Sequence, residues 1–131
     1  MLLVDLRALE GGALETQATV PAEDPLFEGM EARPVGPVHV EGRLRKIGSD
    51  EYFWAGSIRA EVVVACRRCL VETPQTLAAE VRALFTTDDA ALEDPESYEI
   101  APQARQVDLA QMVREEMVLN SPAFVVCREE C

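Results

Sequence analysis

Val62-Val63-Val64-Ala65-Cys66-Arg67-Arg68-Cys69-Leu70 is an apolar, β-branched run that ends in two thiols with two arginines between them. Val-rich runs favour strands. A strand that stops at a Cys-x-x-Cys turn sets both sulfurs on one side of a tight bend. The arginines add positive charge there. Such a turn suits a metal ion or a reactive thiol pair.

Reading backwards from the turn, Tyr52, Trp54, Ile58, Ala60, Val62, Val64 and Cys66 share one parity, and Phe53, Ser57, Arg59 and Glu61 share the other. This period of two marks a long half-buried strand. Gly56 within it predicts a bulge or a sharp bend. Gly48-Ser49-Asp50 is a turn. Before it, Val38, Val40, Leu44 and Lys46 fall on one face and His39, Glu41, Arg43 and Arg45 on the other. Two alternating runs joined by a polar turn make an antiparallel hairpin. Forward from the Cys turn, Val71, Thr73, Gln75, Leu77, Ala79, Val81, Ala83 and Phe85 again alternate with polar residues. Helix is the competing reading for Thr76 to Leu84, which is rich in Ala and Leu.

The flanks are less regular. Leu2 to Leu9 reads as a short edge strand before Gly11-Gly12. Leu14 to Pro37 carries Pro21, Pro25, Pro34 and Pro37 and reads as a loop, with one short strand near Ala18-Thr19-Val20. Thr86 to Pro102 is acidic and rich in turn formers, with an extended piece at Ser97 to Ile100. Asp108 reads as the N-cap of a helix, with Gln111 at the capping-box position. Leu109, Met112, Val113 and Met117 have helical spacing, and Asn120-Ser121-Pro122 ends the helix. The expected fold is α+β: an antiparallel, strongly twisted β-sheet or partial barrel with a C-terminal helix. It forms a single domain over 1–131, with a loose N-terminal region (1–37), a β core (38–85), an acidic loop (86–106), and a helix and Cys-containing tail (107–131).

The formal net charge is −12. Through Phe85 there are 13 acids and 9 basic residues; from Thr86 onward there are 11 and 3. Nucleic-acid binding usually draws on Lys and Arg against phosphates, so a basic protein partner suits this chain better. The acidic loop from Asp88 to Glu99 is one surface for such a partner. Asp5 stands where a signal peptide would be basic, and no apolar run approaches a membrane span. The expected location is the cytoplasm, without a membrane partner. In a reducing compartment four cysteines point to metal or redox chemistry.

Cys66, Cys69, Cys127 and Cys131 form two separated pairs, the usual way to supply a four-thiolate zinc site. The alternative is a thiol-redox protein using the Cys-x-x-Cys turn. A thioredoxin-like pair, however, opens a helix in a βαβ context, and this one lies between two strands. Hydrolytic chemistry lacks parts: His39 is the single histidine, and no Gly-x-Ser-x-Gly elbow is present. No enzymatic activity is expected.

The order of these signals resembles the YceD family, the large ribosomal RNA subunit accumulation proteins. Cys66, Arg68, Cys69 and Leu70 match its Cys-x-Arg-Cys-Leu strand end. Asp108, Leu109, Glu115, Leu119 and Pro122 match its Asp-Leu helix, Glu-rich stretch and Leu-x-x-Pro exit. The resemblance runs from about Val38 to Cys131. Many members continue with a Gly-Leu-Cys-x-x-Cys-Gly tail, which would let Cys127 and Cys131 close a knuckle of their own and leave Cys66 and Cys69 outside it. The resemblance implies a non-enzymatic role in large-subunit ribosomal RNA accumulation and ribosome assembly. Combined with the acidic charge, it implies action through a ribosomal protein or assembly factor. RNA contact is secondary, through Arg43, Arg45, Lys46, Arg67 and Arg68.

Overall fold

A computed structural model describes residues 2–9 and 11–130. The chain forms strands β1 (Leu3–Asp5), β2 (Ala13–Val20), β3 (Arg33–Pro34), β4 (Val38–Gly48), β5 (Glu51–Ala65), β6 (Glu72–Thr86), β7 (Ser97–Glu99) and β8 (Gln106–Asp108), followed by helix α1 (Ala110–Leu119). The main sheet has the order β2-β4-β5-β6-β7, with β3 added beside β5. All its pairings are antiparallel except β6 with β7, which is parallel. β1 and β8 make a separate antiparallel pair. The fold is α+β, and the sheet stays open rather than closing into a barrel.

The alternation in β5 and β6 becomes one continuous rung pattern from Glu51↔Thr86 to Ala65↔Glu72. Residues from Thr76 to Leu84 are therefore strand; tertiary pairing overrides their helix propensity. Trp54 sits between Leu44 and Ala83, and Ile58 between Val40 and Ala79. Trp54, Leu44, Ile58, Leu77 and Phe85 are almost fully buried, and Met112, Val113 and Met117 of α1 pack into the same core. Arg114 of α1 donates to the Leu26 carbonyl, tying the helix to the short turn Pro25–Phe27.

Gly56 marks no bulge: its rungs to Gly42 and Val81 are in register, and the shift in β4–β5 lies between Lys46 and Gly48. The glycine is there for space. A Cβ at Gly56 would collide with the Glu41 carbonyl, the Gly42 Cα and the Trp54 ring; one at Gly42 would meet the Ala55 carbonyl and the Trp54 ring, each at 2.6 Å. The indole lies across both glycines, and its Nε1 donates to Thr16 Oγ1 at 2.9 Å. Thr16 in turn donates to the Gly42 carbonyl at 3.1 Å.

Two local readings need correction. The stretch read as a loop from Leu14 contains β2, which pairs along its whole length with β4. Its inward side chains (Leu14, Thr16, Ala18, Val20) are small or mixed in polarity, so the period of two is faint. Asp108 belongs to β8 and does not cap α1 as N-cap; Leu109 holds that place. Asp108 Oδ1 instead accepts from the Ala110 N–H at 2.9 Å, and Gln111 reaches forward to Glu115 rather than back.

The exit of α1 carries a charge with a measurable signature. Burial first, and the neighbouring Glu96 second, raise the Glu116 carboxyl above its ordinary value; a hydrogen bond from Asn120 opposes them. A raised acid binds its proton more tightly in the folded chain, so stability is fully present in acid and falls as pH rises through the folded value. Glu116→Gln is therefore expected to melt higher than the parent at neutral pH. The difference should vanish below about pH 4, where both side chains are neutral. Thermal unfolding at the two pH values checks this.

Candidate metal centre

β5 and β6 form a long ribbon, and the Cys turn is its tip. Cys66 N–H donates to the Val71 carbonyl at 2.8 Å, and Leu70 N–H donates to the Cys66 carbonyl at 3.0 Å. Closing the turn this tightly puts Leu70 in the left-handed region, with φ of 65°. A leucine is strained there. Its side chain is 74% exposed.

The C-terminal tail folds back onto this tip. Asn120 and Ser121 side chains cap the last turn of α1 by donating to the Glu116 and Met117 carbonyls. Beyond Pro122, Phe124 takes φ of 56°. The buried Val125 accepts from Arg67 N–H at 2.8 Å. The Arg67 guanidinium sits 4.7 Å above the Phe124 ring. Cys127 N–H then points at Cys66 Sγ, 3.4 Å away.

These contacts bring together three thiols, two from the middle of the sequence and one from near its end. The sulfurs of Cys66, Cys69 and Cys127 all lie within 4.8 Å of one another, and Cys69 and Cys127 are 3.6 Å apart. A tetrahedral zinc site with Zn–S bonds of about 2.3 Å needs sulfur pairs about 3.8 Å apart. Three thiols at this spacing could hold a metal ion. An all-sulfur donor set selects soft or borderline ions, and the Cys127 N–H directed at a sulfur is the kind of outer hydrogen bond that orients thiolate ligands. Cys131, the fourth expected ligand, lies outside the described residues. The arrangement in which Cys127 works apart from Cys66 and Cys69 does not match this geometry. Cys66 is fully buried at the end of a strand, a poor setting for a nucleophilic thiol.

The expected basic cluster is divided. Arg43 and Arg45 lie on the outer face of β4. Arg43 pairs with Glu15 at 3.3 Å, and Arg45 sits 5.6 Å from the centre of the Phe53 ring. Lys46, opposite Tyr52, has the parity of the inner face but is exposed because the strand ends there. Arg67 and Arg68 are at the ribbon tip, more than ten residues of strand away, roughly 40 Å at about 3.3 Å per residue. The register adds two arginines that the sequence reading missed: Arg82 lies in line with Arg43 through Ala55, and Arg59 lies opposite His39. They stand alone in the sequence. Their shared outward parity with Arg43 and Arg45 was the available signal.

A family described as the large ribosomal RNA subunit accumulation protein YceD matches residues 54–131, from Trp54 through the Cys turn, β6, α1 and the tail. The chain is also similar to a curated protein of Bacillus subtilis (strain 168), the uncharacterized protein YlbN. The two are 26% identical over 131 residues, spanning 98% of this chain and 73% of that protein. No solved structure matches the chain. Among the described residues, no helix is long and apolar enough to cross a membrane.

Proposed function

The chain belongs to the YceD family, and from that premise we propose that it is a non-catalytic factor for large-subunit ribosomal RNA accumulation, acting in the cytoplasm through a ribosomal protein or assembly factor. A zinc ion held by Cys66, Cys69, Cys127 and Cys131 locks the C-terminal tail to the ribbon tip. The observation that carries this is the meeting of Cys127 with Cys66 and Cys69 inside the region the family covers. Bound zinc would supply a rigid cross-link between the ribbon and the tail. Arg67 stacks on Phe124 and Leu70 projects into solvent, so the locked tip presents a fixed surface. The excess of acid over base favours a basic protein as the principal contact. RNA is touched secondarily, by Arg43 and Arg45 on the sheet or by Arg67 and Arg68 at the tip.

Depletion in the native host is the direct test. Large-subunit ribosomal RNA is expected to fall relative to small-subunit RNA, with precursor particles accumulating in sucrose gradients. Wild-type protein should restore the ratio, and the Cys66→Ser, Cys69→Ser double variant should not. An unchanged ratio on depletion would remove the assignment.

A further inference from the structure

We propose that Cys69 and Cys127 are an oxidation site: a peroxide joins them in a reversible disulfide, which takes over from the metal the task of holding the tail. The bond stands on the placing of the thiols alone. The release of zinc that accompanies it rests on the reading that a zinc ion is held there.

The three thiols are unequal. Cys66 is fully buried, whereas Cys69 and Cys127 are exposed. A peroxide in solvent therefore reaches the outer two. Their sulfurs are 3.6 Å apart, and a disulfide needs about 2.05 Å. Cys69 lies in the turn and Cys127 in an irregular stretch of the tail, so closing the gap of about 1.6 Å breaks no rung of the sheet and no turn of helix. The pair is also held ready. The two cysteines are 58 positions apart in sequence, and an unfolded chain would rarely bring them together. Here the Arg67 N–H on the Val125 carbonyl and the Arg67 guanidinium over Phe124 seat the tail beside the turn. Cys66 takes no part and keeps its place in the core.

The oxidant is hydrogen peroxide. The Cys69 sulfur attacks one peroxide oxygen, the O–O bond breaks, and the departing hydroxide takes the thiol proton and leaves as water. The Cys127 sulfur then attacks the sulfenic acid on Cys69. The S–O bond breaks, the S–S bond forms, and a second water leaves with the Cys127 proton. Where zinc holds both sulfurs as thiolates, solvent supplies the two protons. The sulfurs give up two electrons and the peroxide accepts them. The thiolate is the metal ligand, so a zinc ion at this site loses two of its donors. The disulfide links the same two stretches of chain that the ion linked. The tail stays on the ribbon tip while the ion departs, and a small thiol reverses the bond by exchange.

The test is peptide mapping of the full wild-type chain, kept dilute and treated with one equivalent of hydrogen peroxide. Remaining thiols are alkylated before denaturation and digestion with trypsin. Arg67 and Arg68 separate Cys66 from Cys69, so peptides 60–67, 69–82 and 115–128 carry one cysteine each. The 69–82 peptide is expected joined to 115–128, in roughly tenfold excess over any other linkage, and released by dithiothreitol. Zinc should appear in a chromogenic chelator in proportion to that linkage. The same oxidation in guanidinium should reverse the preference toward near neighbours, Cys66 with Cys69 and Cys127 with Cys131. An intact mass of one chain less two hydrogen atoms places the bond within the chain; a doubled mass overturns the proposal. So does a Cys66–Cys69 bond as the main native product, or sulfinic acid on Cys69 without cross-linking. The expected bond in a chain that never held zinc upholds the pair and removes only the metal reading. Zinc bound by a chain that oxidises elsewhere removes the pair and leaves the metal reading standing.

Discussion

Gly56→Val is expected to remove a large share of the protein's stability. The new Cβ cannot be accommodated by a side-chain rotation, because two of its three nearest neighbours are backbone atoms of β4, the Glu41 carbonyl and the Gly42 Cα. The third is the indole of Trp54, which is fully buried and held by Thr16. Relief requires β4 to move off β5, which breaks the centre of the sheet. Overpacking a core costs typically 1–3 kcal/mol; a backbone clash at a central rung belongs at or above the upper end, about 3 kcal/mol. Domains of this kind hold roughly 5–15 kcal/mol in total. The midpoint of thermal unfolding should fall by about 10 °C or more. Ser57→Val is the control. Its side chain shares the outer face with Glu41 and Glu80, and a β-branched residue there should be tolerated. If Gly56→Val melts with the parent, the close approach of β4 and β5 is wrong.

Cys66→Ser is expected to abolish metal content. Protein purified in reductant without chelator should carry about one zinc per chain, and the variant none. Cys66 is the buried member of the three thiols and accepts the Cys127 N–H, so its loss removes both a ligand and the hydrogen bond that seats the tail. The sheet should survive. Its largest buried side chains, Trp54, Leu44 and Phe85, sit near the opposite end of the ribbon from the thiols, unlike a small finger whose core is the metal site. The expected signature is therefore local: residues 123–130 become sensitive to protease while far-ultraviolet dichroism changes little. Global unfolding of the metal-free variant would mean that the tip, not Trp54, organises the core. A metal-free wild-type protein with a protected tail would mean that the thiols pack without an ion.

The ribbon and its Cys turn were legible in the sequence because each inward position from Tyr52 to Cys66 carries a residue that strands bury, apart from Gly56. β2 was legible only at its end, near Ala18-Thr19-Val20, because Thr16 and Ala18 carry too little apolar area to mark a face along the whole strand. Thr16 is inward for another reason, to receive the Trp54 N–H, and a hydrogen bond of that kind leaves no periodic trace. The helix was placed correctly by Met112, Val113 and Met117, but Asp108 was read as its cap when the same carboxylate stabilises a turn one step earlier. Cys66 and Cys69 announced themselves by spacing. Their meeting with Cys127 depends on a reversal after Asn120 that no local pattern encodes. The outer arginines are gathered by register, a property of pairs of strands rather than of either strand alone.

The ribbon changes its support along its length. β4 last pairs with β5 at His39↔Arg59; past it β3 takes the rungs at Val62 and Val63, Val35 N–H donates to the Glu61 carbonyl, and Ala60, Val62 and Cys66 stay buried. The thiol end is thus a splice of three separate stretches of chain: the ribbon, the short strand before β4 and the tail after α1. Slackening any one of them loosens the seat of the sulfurs.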